Sequence, residues 1–179
     1  MPSFQDFYFQ SSTGRTSIHA LKCVPDGKPR AVVQIAHGIA EHIDRYRPFM
    51  EFLADNGFVA AGNDHLGHGK SIRVPEEQGF FAEKDGWWRV VDDMDKLHDI
   101  MSNEYPELPY VLFGHSMGSF LTRTYLIKHP DKYDGVILSG TGHQSPAGTP
   151  QHRSWPSSTV QWATARSSIR WLSAATSAK

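Results

Sequence analysis

The sequence predicts an α/β fold, a mainly parallel twisted sheet with helices on both faces. Three observations carry this reading. Short apolar runs alternate with helix-period segments from residue 31 to residue 139. The runs are continuously apolar, as in strands buried on both faces. Proline, glycine or Asn-Gly stands at the junctions between runs. Such alternation argues for right-handed crossovers between neighbouring parallel strands.

Each element follows in order. Phe7-Tyr8-Phe9 and Ser17 to Cys23 are strand-like runs separated by Ser11 to Gly14, which predicts an N-terminal hairpin. Ala31 to Ala36, bounded by Pro29 and Gly38, predicts a buried strand. Tyr46, Phe49, Met50 and Leu53 recur at helical spacing, Pro48 suits a first turn, and Asn56-Gly57 supplies a left-handed stop. A strand resumes at Phe58 to Ala61. Trp87, Val90, Val91, Met94, Leu97, Ile100 and Met101 mark a long amphipathic helix that breaks before Pro106. Tyr110 to Phe113 is a further strand, Gly118 to His129 a helix ended by Pro130, and Gly135 to Leu138 another strand.

Composition narrows the function classes. A chain of 179 residues is sized for one core, and 39% apolar with 12% aromatic residues excludes a chain disordered throughout. Lys and Arg number 18 against 19 Asp and Glu, so no overall basic excess points to nucleic acid or to an anionic membrane. Cys23 is the only cysteine. It excludes an internal disulfide and a cysteine-rich metal cluster, and the cytoplasm is the expected location. No run approaches the roughly 18 apolar residues of a membrane helix, and Met1 to Gln10 lacks the pattern of an export leader. The charge is unevenly spread, since no acid follows Asp134.

In open α/β sheets functional residues gather at the carboxyl ends of strands. Gly114-His115-Ser116-Met117-Gly118 stands there, a G-x-S-x-G run between a strand and a helix. Chance supplies roughly 0.1 such runs in a chain of this composition, so the strand-turn-helix context decides its weight. A serine on that turn occupies a strained, exposed position. Glycines two residues before and after let strand and helix approach closely. The Met117 amide, at the start of the helix, is left to donate toward a developing oxyanion. His37-Gly38-Ile39-Ala40-Glu41-His42 forms a loop after the Ala31 to Ala36 strand, and Gly38 lets it turn so that the Ile39 amide joins that of Met117. His37, Glu41 and His42 lack the spacing of a zinc site, so structural hydrogen bonding is expected of them. Asp64-His65-Leu66-Gly67-His68-Gly69-Lys70-Ser71 ends the next strand; it lacks the G-x-x-x-x-G-K spacing of a phosphate loop, and nucleotide binding is rejected.

Taken together, His37 to Tyr46, Asp64 to Ser71 and Gly114 to Gly118 resemble the α/β-hydrolase family, particularly its lysophospholipase and monoacylglycerol lipase branch. The resemblance runs over about residues 20 to 143. It rests on H-G-x-x-E-H followed by Arg45-Tyr46, on D-x-x-G-H-G-x-S, and on the serine turn, in that order. It implies that Ser116 is a nucleophile, that the Ile39 and Met117 amides form an oxyanion hole, and that lipid or other carboxylic esters are hydrolysed through an acyl-enzyme. No metal or organic cofactor is implied. By analogy, the D-x-x-G-H-G-x-S and E-H features favour monoglyceride or lysophospholipid esters. Arg45, Tyr46 and the Phe80-Phe81 pair are pocket candidates, with ordinary surface and core roles as the alternative.

A serine nucleophile needs a base and an orienting carboxylate. After Ser116 the only acids are Asp131 and Asp134, both placed before the next strand, where surface roles are expected. His129 closes a helix at the far end of the sheet, whereas His143 follows the Gly135 to Leu138 strand and stands as a candidate base. Residues 1–143 therefore read as a partial hydrolase core. Residues 144–179, with eight Ser, four Thr, three Trp and no acid, read as an atypical tail, either a helix over Thr159 to Ala175 or disordered. The change near residue 145 is expected of a truncated or frame-altered product, with an uncovered sheet edge prone to self-association and with reduced stability. Three readings stay open: a serine esterase with an incomplete site, an enzyme whose base is His143 or a histidine of another subunit, and a nonenzymatic remnant acting as an interaction module.

Overall fold

A computed structural model describes residues 1–142 and, beyond them, the backbone of residues 160–164 and 172–173. Strands β1 (Ser3–Gln10) and β2 (Ser17–Val24) form the expected hairpin, in antiparallel register from Ser3 opposite Val24 to Gln10 opposite Ser17. There follow β3 (Ala31–Ala36), α1 (Arg47–Asp55), β4 (Phe58–Asn63), α2 (Gly86–Glu104), β5 (Tyr110–His115), α3 (Met117–Lys128) and β6 (Gly135–Ser139). The chain closes on β7 (Val160–Thr164) and β8 (Leu172–Ser173). All eight strands lie in one sheet, in the order β1-β2-β4-β3-β5-β6-β7-β8. The central four, β4-β3-β5-β6, are mutually parallel, and the strands on either side join antiparallel.

The continuous apolar strands are explained by burial on two faces. Along β2, Ile18 and Ala20 face one layer, while Leu21 and Cys23 face the other. In β4, Val59 and Ala61 join the first layer and Ala60 the second. Val90, Met94, Leu97 and Met101 of α2 and Leu121 and Tyr125 of α3 complete the first core; Met50 and Ala54 of α1, with Ile43, complete the second. The period-2 alternation of strands thus meets the 3.6-residue stripes of helices on opposite sides of one sheet. Gln34 is a polar residue buried in the sheet, and both ends of its amide are bonded: its Nε2 donates to Met94 O (3.0 Å), and its Oε1 accepts from the Tyr110 hydroxyl (2.5 Å).

Two expectations for the tail need correction. Within 159–175, expected to be a helix or disordered, residues 160–164 and 172–173 are strands. The edge of β6, expected to be uncovered, is paired antiparallel with β7, Ile137 opposite Trp162. An exposed strand edge is a ladder of unpaired backbone groups, and the nearest segment of the same chain satisfies it. The other residues of 144–179 lie outside the described residues.

Strand order locates the functional region. From β3 the chain moves to β4 on one side, then crosses back to β5 on the other. The carboxyl ends of β3 and β5 are therefore where successive connections diverge, and in such sheets this crevice is where ligands bind. Ala36 at the end of β3 is paired with Gly114 near the end of β5, so the segments His37–His42 and His115–Met117 emerge side by side.

Candidate active site

Ser116 lies between the last residue of β5 and the first of α3 with φ 51° and ψ −119°. A positive φ costs a non-glycine residue of order 1–3 kcal/mol, and the surroundings over-determine it here. Its N–H donates to Ser139 O of β6 (2.9 Å), and its own carbonyl accepts from the Ser119 N–H (2.9 Å) and the Ser119 hydroxyl (2.6 Å). Neither flanking glycine tolerates a side chain. A Cβ on Gly118 would collide with the Ala36 carbonyl and lie 2.7 Å from His37 O, and one on Gly114 would lie 2.6 Å from Gly118 O. The spacing of the motif is thus the spacing at which β5 and α3 touch each other and β3.

On the other side of the crevice Gly38 packs directly against the serine. A Cβ on Gly38 would stand 3.1 Å from Ser116 Cβ and 2.7 Å from Glu41 Oε1. Glu41 organises this loop: its Oε1 accepts from the Gly38 N–H and from the Tyr46 hydroxyl (2.8 Å), and its Oε2 pairs with Arg45 Nη1 (3.5 Å). Burial, and then the hydrogen bond to the Glu41 carboxylate, push the Tyr46 phenol well above its ordinary value. Ala40 adopts φ 57°, completing the reversal. With Gly38's amide occupied by Glu41, the next along the loop is that of Ile39, which has no hydrogen-bond acceptor among the described residues; the Met117 amide, first in α3, likewise has none.

Behind the loop lies a buried histidine group. His37 Nδ1 donates to Gly38 O (2.7 Å), and Nε2 accepts from the His65 N–H (3.0 Å), which fixes one neutral tautomer. Burial pulls its pKa down to about 4 and holds His65 well below the usual histidine range. The rings of His37 and His65 lie 4.1 Å apart, and His68 is 5.3 Å from His37 with its Nδ1 on Leu66 O (2.9 Å). These contacts are hydrogen-bonding and stacking roles, as expected for His37 and Glu41; His42 is exposed. Among the described residues, Asp95, His98 and Asp99 have the mutual spacing of a metal group, but the Lys132 ammonium sits on Asp95 (2.6 Å) and Asp99 (2.9 Å) and already supplies the cation.

The Asp64 to Ser71 loop carries residues whose importance the sequence left unread. Asp64 is wholly buried and accepts from Ile43 N–H (2.7 Å), Lys70 N–H (2.8 Å) and His19 Nδ1 (2.9 Å). His19 also meets Asp6 through Nε2 (2.8 Å). An aspartate just before a glycine-rich turn was the available signal, since such carboxylates commonly cap turn amides.

Of the residues after Ser116, Asp134 accepts from the Tyr110 N–H (2.8 Å), which puts it at the start of β5, the end of the sheet away from the serine. Asp131 is exposed. His115 directs Nδ1 to Ser139 Oγ (3.2 Å). Among the described residues the Ser116 hydroxyl has no hydrogen-bond partner, and His143 lies outside them.

Comparison with known proteins supplies the lineage. The profile of the serine aminopeptidase S33 hydrolases matches residues 27–177, most of the chain. The chain belongs to this α/β-hydrolase family. The family match extends beyond the residues 20–143 on which the resemblance was read, into the atypical tail. Among curated proteins this S33 hydrolase chain is 35% identical over 116 residues to a monoacylglycerol lipase of Mycolicibacterium smegmatis, covering 65% of the chain and 39% of that protein. It is 31% identical over 114 residues to the monoglyceride lipase of Homo sapiens, covering 64% and 36%. Among solved structures, a thermostable carboxyl esterase from Bacillus coagulans superposes with a TM-score of 0.75 at 38% identity, over 80% of this chain and 46% of that one. A monoglyceride lipase from Saccharomyces cerevisiae, 22% identical, shares the fold with a TM-score of 0.63, over 77% and 43%. The S33 hydrolase chain thus spans less than two fifths of the length of these two curated relatives.

Proposed function

We propose that this chain carries the nucleophile half of a serine hydrolase for carboxylic esters of lipids, of the monoacylglycerol or lysophospholipid type. The observation that supports it most is the positive-φ serine at the crevice between β3 and β5, with Gly38 packed against its Cβ. In this reading Ser116 Oγ attacks the ester carbonyl, its proton passes to a base, and the carbonyl oxygen takes up negative charge. The Ile39 and Met117 amides receive that charge. The alcohol then leaves, carrying a proton from the same base, and water hydrolyses the acyl-serine to a free acid. Each step is acid-base or nucleophilic. The names of the relatives favour a monoglyceride over other esters.

The base in this reading is His143 or a histidine of another subunit, and we propose slow turnover by the chain alone because no acid follows Asp134, which sits at the other end of the sheet, leaving the base without an orienting carboxylate. A missing triad base typically costs on the order of 10⁴ to 10⁶ in turnover. The same observation favours, as a second reading, a chain that keeps the scaffold without catalysis. We propose the cytoplasm as its location, on the single cysteine, Cys23, which is buried and unpaired. Among the described residues no helix is long and apolar enough to cross a membrane.

The test is fluorophosphonate labelling and hydrolysis of a monoacylglycerol by the purified chain, beside Ser116→Ala and His143→Ala. We expect labelling in the wild type and none in Ser116→Ala, with turnover reduced further by His143→Ala. A folded chain without Ser116-dependent labelling would establish the nonenzymatic reading.

A further inference from the structure

One cavity stands apart from Ser116. A cleft of about 450 Å³ opens between the β1–β2 turn, the Leu66 to Ala82 segment and the first turn of α2, within the size range of small-molecule sites. Its wall is cationic: Arg15, Arg73, Lys84 and Arg89 face Glu77 and Glu83. Arg73 and Glu77 neutralise one another in a bidentate pair. Arg15 and Lys84 make no ion pair among the described residues, and Arg89 reaches only the Ser12 carbonyl, at 3.4 Å. A surplus of positive charge is left. Leu66, Phe80 and Phe81 supply an apolar side, and Phe80 is half exposed.

Thr16 also lines the cleft, but its hydroxyl oxygen is sealed from solvent, so the cations are the groups the cleft offers to an anion. The walls are also pre-set. Asp93, fully buried in α2, accepts from the Ser11 hydroxyl (2.8 Å) and the Ser12 N–H (2.5 Å), and the Ser12 hydroxyl donates to Arg89 O (3.0 Å), which bolts the hairpin turn to the helix. Gly67, at φ 72°, lies so close to Phe80 that a Cβ would stand 2.6 Å from the Phe80 N and O, and the Gly79 N–H closes on Gly67 O (2.8 Å). Little ordering remains to be done on binding.

We propose that this cleft binds a single-chain anionic amphiphile, with its carboxylate held by the Arg15, Lys84 and Arg89 cations and its alkyl chain along Phe80 and Phe81. The site is separate from the Ser116 crevice and does not depend on the reading of Ser116 as a nucleophile.

Isothermal titration calorimetry with decanoate below its micelle concentration tests this, with decanol and decyltrimethylammonium as neutral and cationic controls. We expect one saturable decanoate site that weakens with added salt, and at least tenfold weaker binding of either control. The exposed double variant Arg15→Glu/Lys84→Glu should weaken decanoate at least fivefold while leaving the thermal midpoint unchanged. Ser116→Ala should bind as the wild type does. Absence of saturable binding, equal binding of the cationic control, or insensitivity to the cleft variant would overturn the proposal. Loss of binding in Ser116→Ala would assign the decanoate to the crevice and likewise overturn it.

Discussion

Single residues at the crevice are constrained by close approach more than by chemistry. Gly118 has no room for a methyl group because the Ala36 carbonyl of the adjacent strand occupies that space. Gly118→Ala is therefore expected to move β3 away from α3 and to cost about 3 kcal/mol, read as a lowered urea midpoint with an unchanged slope. Ser119 bonds the Ser116 carbonyl from the first turn of α3, and Glu41 does the equivalent for Gly38 across the crevice. The serine turn was legible in the sequence because its glycines must stand two residues to either side of the serine. The role of Glu41 was not, since H-G-x-x-E-H shows an acid near a glycine without showing which amide it takes.

Elements are joined by a few buried polar contacts between the apolar layers. The β1–β2 turn is held to α2 by Asp93, and burial outweighs its hydrogen bonds and pushes its carboxyl pKa up. Asp93→Ala leaves the Ser11 hydroxyl and the Ser12 amide unpaired, a loss of about 2 kcal/mol. Amide hydrogen exchange should quicken first in residues 11–16, whereas exchange in β3 and β5 should follow global stability. Asp93→Asn, which keeps an acceptor, should lose less. The helix stripes and strand runs that these contacts join were read correctly from their periods. Pairing of Asp93 with a turn more than eighty residues earlier has no local signature.

Across the whole molecule, the buried histidines couple stability to pH. In the unfolded chain His37 titrates near 6.5, and in the folded chain near 4, so the unfolded state binds the proton first as pH falls. The stabilisation from its neutral form is complete above about pH 6.5 and is lost progressively toward pH 4, where His37 alone accounts for about 3 kcal/mol. His65 shifts in the same direction. Urea unfolding at pH 7.5, 5.5 and 4.5 should give steadily falling stability; a constant value between 7.5 and 5.5 would show that the imidazoles have polar partners absent from this arrangement.

The sequence by itself determined the α/β class, the order of elements from residue 3 to residue 139 and the position of Ser116, because hydrophobic period, turn residues and a glycine-flanked serine are local properties of the chain. It left open the pairing of β6 with β7, where a run of Trp, Val and Ser keeps no clean period and admits both a helix and disorder. Only the tertiary structure decided that Gly38 lies against Ser116, that Asp64 gathers donors from His19, Ile43 and Lys70, and that Arg15, Arg73, Lys84 and Arg89 line one cleft. The reason is physical. A buried polar group is satisfied by whatever packing brings within about 3 Å, and that depends on the crossing of segments tens of residues apart.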